Sequence, residues 1–125
     1  MPADEFHNLV HQQVLYLTTK GRITGLPREI EIWFILRRGK FYLFAEHGER
    51  ARWVRNIRRD PNVSVRIGRC QIKAAARVLA HDTDRTLWDE VQAAAQRKYG
   101  WGDGLPVEIA PVPRLRAIVG VSEEE

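Results

Sequence analysis

The sequence predicts a mainly β fold with flanking helices (α+β), a small barrel of six or seven short, mostly antiparallel strands with helices outside it. Three observations carry this expectation. Apolar alternation is strict from Arg28 onward, with Ile30, Ile32, Phe34 and Leu36 on one side and Glu29, Glu31, Trp33 and Ile35 on the other. Short polar turns, Arg37-Arg38-Gly39-Lys40 and Gly68-Arg69, join successive alternating runs, as in a meander. A single helical stretch interrupts the strands in mid-sequence instead of alternating with them, which excludes a doubly wound parallel sheet.

In chain order, residues 4–14 place Phe6, Leu9 and Val10 at helical spacing, and VLYLT (14–18) reads as the first strand. The alternating run from Arg28 is the second strand, and FYLFAE (41–46) is the third. Residues 50–59 then predict a helix with Trp53 and Ile57 one turn apart and Arg52, Arg55 and Arg59 on its polar side; Asp60-Pro61 stops it. NVSVRIG (62–68) turns Val63, Val65 and Ile67 inward, and CQIKAAARVLA (70–80) does the same with Ile72, Ala74, Ala76 and Val78. HDTD supplies a cap for an amphipathic helix over 83–99 with Leu87, Trp88, Val91 and Ala95 inward. After the glycine-rich YGWGDGLP, residues 105–120 hold one or two closing strands.

A chain of 125 residues forms one domain, expected over 1–120, with 121–125 as an acidic, disordered tail. No run approaches the roughly 20 apolar residues of a membrane span, and residues 1–4 do not begin a signal peptide. The single cysteine, Cys70, lies in an alternating run, so a buried thiol in a cytoplasmic protein is expected. The formal net charge of +4 and the pI near 9.6 suit an anionic ligand. The arginines of 50–59 interleave with apolar positions, so nucleic acid is an unlikely partner, and a basic polyanion-binding module is kept only as an alternative. His7 and His11 stand four apart, but nothing completes a metal-ligand set around them. No GxSxG, CxxC, HExxH, Walker or GxGxxG pattern occurs.

Candidate binding residues gather in three places. The turn between the first two strands, TTKGRITGLPRE, contains two glycines, a proline, a lysine and two arginines. Its glycines permit close backbone approach, and Arg22 and Arg28 can fork onto phosphate or carboxylate oxygens; a generous turn with solvated arginines is the competing reading. His47-Gly48 follows the third strand at what would be a barrel rim. Trp53 and Asn56 share a helix face, either lining a pocket or serving as core and loop cap.

Residues 17–68, LTTKGRITGLPREIEIWFILRRGKFYLFAEHGERARWVRNIRRDPNVSVRIG, resemble the deazaflavin-dependent nitroreductase family. That family belongs to the flavin-binding split β-barrels, with pyridoxamine phosphate oxidase as a more distant relative. The resemblance implies an FMN-binding-like split barrel, usually a homodimer, that holds coenzyme F-420 (a deazaflavin) or FMN and passes a hydride to a nitroarene, quinone or enone. It implies that Gly21, Arg22, Thr24 and Arg28 grip the cofactor phosphate. Ala45, His47 and Gly48 would follow its ring, and Trp53 and Asn56 would close the site. Trp33, Tyr99 and Trp101 would stand on the acceptor side. A lysine is common in the family where this chain has Ile23, and Glu46 replaces a small polar residue. A flavin-binding split barrel without turnover, a carrier or sensor, is the alternative within this fold.

Overall fold

The computed structural model describes residues 12–112; the expected N-terminal helix with His7 and His11, a second closing strand and the acidic tail lie outside this range. Six strands, β1 (Val14–Lys20), β2 (Pro27–Arg37), β3 (Lys40–Ala45), β4 (Asn62–Ile67), β5 (Cys70–Val78) and β6 (Leu105–Pro111), form a closed barrel. Their order around it is β1-β2-β3-β6-β5-β4, and every pairing is antiparallel. Two helices, α1 (Arg52–Arg59) and α2 (Arg85–Tyr99), complete the described chain. This is the mainly β, helix-flanked barrel that the alternation predicts.

Alternation divides the apolar residues between two clusters. Leu15, Leu17, Phe34, Phe41, Leu43, Val65, Ile67, Val107 and Ile109 fill the barrel, joined from α1 by Val54 and Ile57. The opposite faces of β2 and β3 are apolar as well. Ile35, Tyr42 and Phe44 point out of the barrel and are covered by Val91 and Ala95 of α2, with Leu87, Trp88 and Trp101 at the margin. That second layer is why FYLF has no polar side: β3 is buried on both faces.

β2 changes partner along its length. Pro27–Trp33 pair with β1, the last rung being Val14 opposite Trp33, whereas Phe34–Arg37 pair with β3. The next β1–β2 rung would join Gln13 to Phe34. The side chains at the end of α2 occupy that place. The Tyr99 hydroxyl accepts the Phe34 N–H at 3.1 Å and shares its proton between the Phe34 carbonyl (2.6 Å) and the Gln13 carbonyl (2.8 Å). Lys98 Nζ donates to the Gln12 and Phe34 carbonyls at 3.0 and 3.1 Å and lies 4.0 Å over the Phe34 ring. Burial lowers the Lys98 pKa and raises that of Tyr99, so both enter the fold at some desolvation cost.

The start of α2 differs from expectation. Asp84 occupies the N-cap position, but its carboxylate does not cap the helix. Its Oδ2 accepts the Ala80 N–H at 2.8 Å, and its two oxygens both accept from Arg77 Nη1 at 3.0 and 3.1 Å, so it closes the loop before the helix and α2 begins at Arg85.

Two outcomes test this architecture. Replacing Tyr99 by Phe keeps the ring and strands the Phe34 N–H, with an expected loss of about 1–3 kcal/mol in urea unfolding. The Ala80 amide, followed by Arg77, holds the Asp84 carboxyl below its usual range against desolvation. Its contribution is therefore complete above the unfolded carboxylate pKa near 4 and disappears as pH falls through the lower folded value. Asp84→Asn should lower stability at pH 7 and flatten the acid limb of a Tm-against-pH curve; an unchanged acid limb would show that Asp84 carries none of it.

Candidate functional site

The turn from Gly21 to Leu26 connects β1 to β2 and is closed from within. Gly21 N–H donates to the Leu26 carbonyl at 2.8 Å, and Gly25 N–H donates to the Gly21 carbonyl at 2.8 Å. Leu26 N–H donates to Thr24 Oγ1 at 3.2 Å. Gly25 has φ 75°, a left-handed conformation that a side chain would strain. A Cβ on Gly21 would lie 3.1 Å from the Leu26 carbonyl oxygen and 3.2 Å from Thr24 Oγ1. The two glycines thus spend their N–H groups on the turn itself. Among the described residues, the Ile23 and Thr24 amides at its tip stay uncommitted.

α1 fastens the turn from below. Asn56 Oδ1 accepts the Arg22 N–H at 3.2 Å and Arg22 Nη1 at 3.1 Å, and Asn56 Nδ2 donates to Thr19 Oγ1 at 3.0 Å. Asn56 is 4% exposed and Thr19 2%. Arg28 Nη2 reaches Thr24 Oγ1 at 3.4 Å. A cleft of about 780 Å³ opens between this turn, β2 and α1, and Arg22, Thr24, Arg28, Arg52, Trp53 and Asn56 are in its wall. Arg22, Arg28 and Arg52 make no ion pair among the described residues. The carboxylate on the same wall, Glu29, is bridged to Arg66 at 3.4 Å.

A second cleft, of about 880 Å³, adjoins the first, with Ile30, Arg52 and Trp53 in the walls of both. It follows the stretch of β2 that pairs with β1 and not with β3, and Trp33, Glu46, His47 and Trp101 are in its wall. Trp33 is 41% exposed and stacks on Tyr99 at 4.4 Å between ring centroids, 7° from parallel, while Trp101 meets it edge-on at 6.4 Å.

The sequence-derived candidates are therefore distributed unevenly. Gly21, Arg22, Thr24, Arg28, Trp53 and Asn56 meet around the first cleft, and Trp33, His47 and Trp101 around the second. Ala45 is buried in the barrel cluster, and Gly48, with φ 58°, opens the short 3₁₀ turn Gly48–Arg50 before α1. Tyr99 lies beneath Trp33 with its hydroxyl committed to the β2 backbone, so it supports the wall and does not donate into the cleft. Two residues of the site escaped the sequence reading. Arg52 reaches both clefts, and its position one helical turn before Asn56 was the available signal. Thr19, a polar residue at an inward position of β1, was the other.

This donor set suits an elongated ligand with an anionic tail and a flat ring. Three guanidiniums, the Thr24 hydroxyl and two free amides surround the tail end. Trp53, Trp33 and an unpaired strand edge offer stacking and backbone hydrogen bonds at the ring end. A flavin or deazaflavin phosphate therefore fits the residues present, and Arg22, Arg28 and Arg52 would hold it.

Comparison with known proteins agrees with this geometry. No curated protein matches the chain. Among solved structures, a heme storage protein, HutZ, from Vibrio cholerae superposes with a TM-score of 0.70 at 19% identity, covering 86% of this chain and 88% of that one. A putative pyridoxamine 5′-phosphate oxidase from Listeria innocua superposes at 0.68 and 18% identity, covering 86% and 91%. An F420-H2 dependent reductase superposes at 0.60 and 24% identity, covering 78% and 92%. These establish the split-barrel fold. Residues 3–110 match the F420H(2)-dependent quinone reductase family, and the chain is a member of that family of oxidoreductases.

Proposed function

We propose that the protein transfers a hydride from a reduced deazaflavin, coenzyme F-420, to a quinone. The observation that carries this reading is the pair of adjoining clefts, one ringed by three arginines that make no ion pair among the described residues and the other walled by tryptophans, in a chain of this family. The cofactor, when bound, supplies the hydride. The chain positions it: Arg22, Arg28 and Arg52 hold the anionic tail, Trp53 walls the ring, and the open edge of β2 addresses the ring's polar margin. Trp33, held flat on Tyr99, and Trp101 present apolar faces on which a quinone can stack. Reducing a quinone by two electrons also needs a proton, which solvent supplies through the open second cleft, with the exposed His47 in its wall.

Glu46 does not oppose this assignment, because it lines the tryptophan end of the groove and not the wall formed by Arg22 and Arg28. FMN carries a phosphate at the corresponding end of its ribityl chain and remains the second candidate. The reading also includes a cytoplasmic homodimer, supported by the family resemblance; no helix among the described residues is long and apolar enough to cross a membrane.

Titration with oxidised coenzyme F-420, FMN and FAD should give the tightest fluorescence quenching with F-420, and its reduced form should be reoxidised by a soluble quinone. Binding with no reoxidation by quinones, nitroarenes or enones would point to a carrier instead, and silence from all three cofactors would defeat the reading. Arg28→Ala should weaken cofactor binding about tenfold or more, the worth of one charged hydrogen bond. Ile23→Lys should tighten it several-fold, on the order of the gain from an exposed charge pair, because Ile23 is 84% exposed beside the arginines.

A further inference from the structure

Asn56 stands in the wall of the first cleft, yet its hydrogen bonds point elsewhere. Its carbonyl oxygen accepts two donors, the backbone N–H and the guanidinium of Arg22, and its amide donates to the buried Thr19 hydroxyl. A neutral amide 4% exposed and engaged at both ends has little left to offer a ligand. Arg22, by contrast, commits one of five guanidinium N–H groups and lies along both faces of the turn, toward the first cleft and toward a smaller one of about 360 Å³ behind it.

We propose that Asn56 is a positioning residue, which sets the anion affinity of the turn through Arg22 and makes no contact with the ligand. An arginine free in solution has many rotamers, and binding an anion with it means ordering most of them. Asn56 removes that cost beforehand by holding both the origin of the side chain, at its backbone N–H, and its charged end. The Asn56–Thr19 bond carries the same restraint into β1, so the turn is fixed relative to the barrel and not only to α1. Arg28 has no comparable anchor; its contact, Thr24 Oγ1, belongs to the same turn and is 3.4 Å away. The two arginines therefore differ in kind: Arg22 is preset, and Arg28 orders on the ligand.

This proposal rests on the anion-binding reading of the turn, and its test separates the two. Affinity for oxidised coenzyme F-420 would be measured by fluorescence for the native chain, Asn56→Ala, Arg22→Ala and the double variant. Asn56→Ala should weaken binding about tenfold by loss of preorganisation. The double variant should bind far less weakly than the product of the two single losses, because Asn56 acts mainly through the Arg22 side chain and only its hold on the turn backbone survives Arg22→Ala. Losses that multiply in full would show that Asn56 acts independently of the Arg22 side chain and would overturn the proposal.

Asn56→Asp covers the case in which the alanine variant fails to fold. It keeps the oxygen that accepts from Arg22 and adds a charge that neutralises the guanidinium, so the dependence of log affinity on log salt should flatten to the Arg22→Ala slope. A salt slope equal to that of the native chain would refute control through Arg22. Failure of the native chain to bind F-420 or FMN would remove the anion-binding reading and this inference with it.

Discussion

A strand in a closed barrel has two edges to satisfy, and β2 satisfies its edges in different halves. Its first seven residues pair with β1 and its last four with β3. The changeover falls between Trp33 and Phe34, and much of the rest of the molecule is arranged around it. Because β3 is absent beside residues 27–33, a groove can run along that stretch. Because β1 is absent beyond Trp33, the Phe34 N–H and carbonyl need other partners, since buried backbone groups left unpaired are costly. Tyr99 and Lys98 provide them. The same tyrosine ring then lies under Trp33, so one residue both compensates the split and sets the floor of the groove it creates.

The turn at the other end of β2 solves a different problem with the same economy. Glycines in an anion-binding loop are commonly read as exposing their amides, but here both donate inside the turn. What they achieve is compactness, which brings Arg22, Thr24 and Arg28 within reach of α1 and leaves two amides at the tip. Recognition is consequently led by guanidiniums. Five arginines elsewhere have carboxylate partners, Arg58 with Glu49, Arg37 with Glu90, Arg77 with Asp84 and Glu108, Arg66 with Glu29 and Arg85 with Asp89, while Arg38, Arg50, Arg55, Arg69 and Arg97 resemble those of the cleft in having none among the described residues. Pairing Glu29 with Arg66 also removes the nearest negative charge from the anion's side of the cleft. Lys20 and Arg59, behind the turn, likewise have no ion-pair partner among the described residues, and with Arg22 they outnumber the one carboxylate there, Asp60.

Strand alternation made the barrel readable, because a period of two is a direct consequence of burying one face. Phe34 and Ile32 reported their side correctly on that basis. The second layer was half-visible: Val91 and Ala95 marked the inner stripe of α2, but nothing local said that it would land on Tyr42 and Phe44 of β3. Asp84 illustrates the limit well. A cap and a loop closure need the same residue type at the same position, and only the path of residues 77–80 decides which donor arrives first. The site was legible as residue types, arginines, tryptophans and an amide, and not as bonds. Whether Asn56 faced a ligand or Arg22 depended on a contact across 34 positions of sequence.

The division of the groove into a cationic end and an aromatic end also bears on how little chemistry the side chains must do. Hydride transfer between two flat molecules requires that they stack at close range and in a fixed orientation, and positioning of this kind can account for a large part of a rate enhancement. A tail held by several guanidiniums fixes one end of an elongated molecule, and a ring placed against Trp53 and a strand edge fixes the other. The remaining face must stay open to admit an acceptor. Trp33 meets both demands at once: its inner face is spoken for by Tyr99, and the outer part of its surface stays in solvent. A side chain that merely filled the core would be buried on both faces, as Phe34 is next to it. The exposure of Trp33 follows from the same split in β2 that opens the groove, so the proposed acceptor platform and cofactor slot have one structural origin.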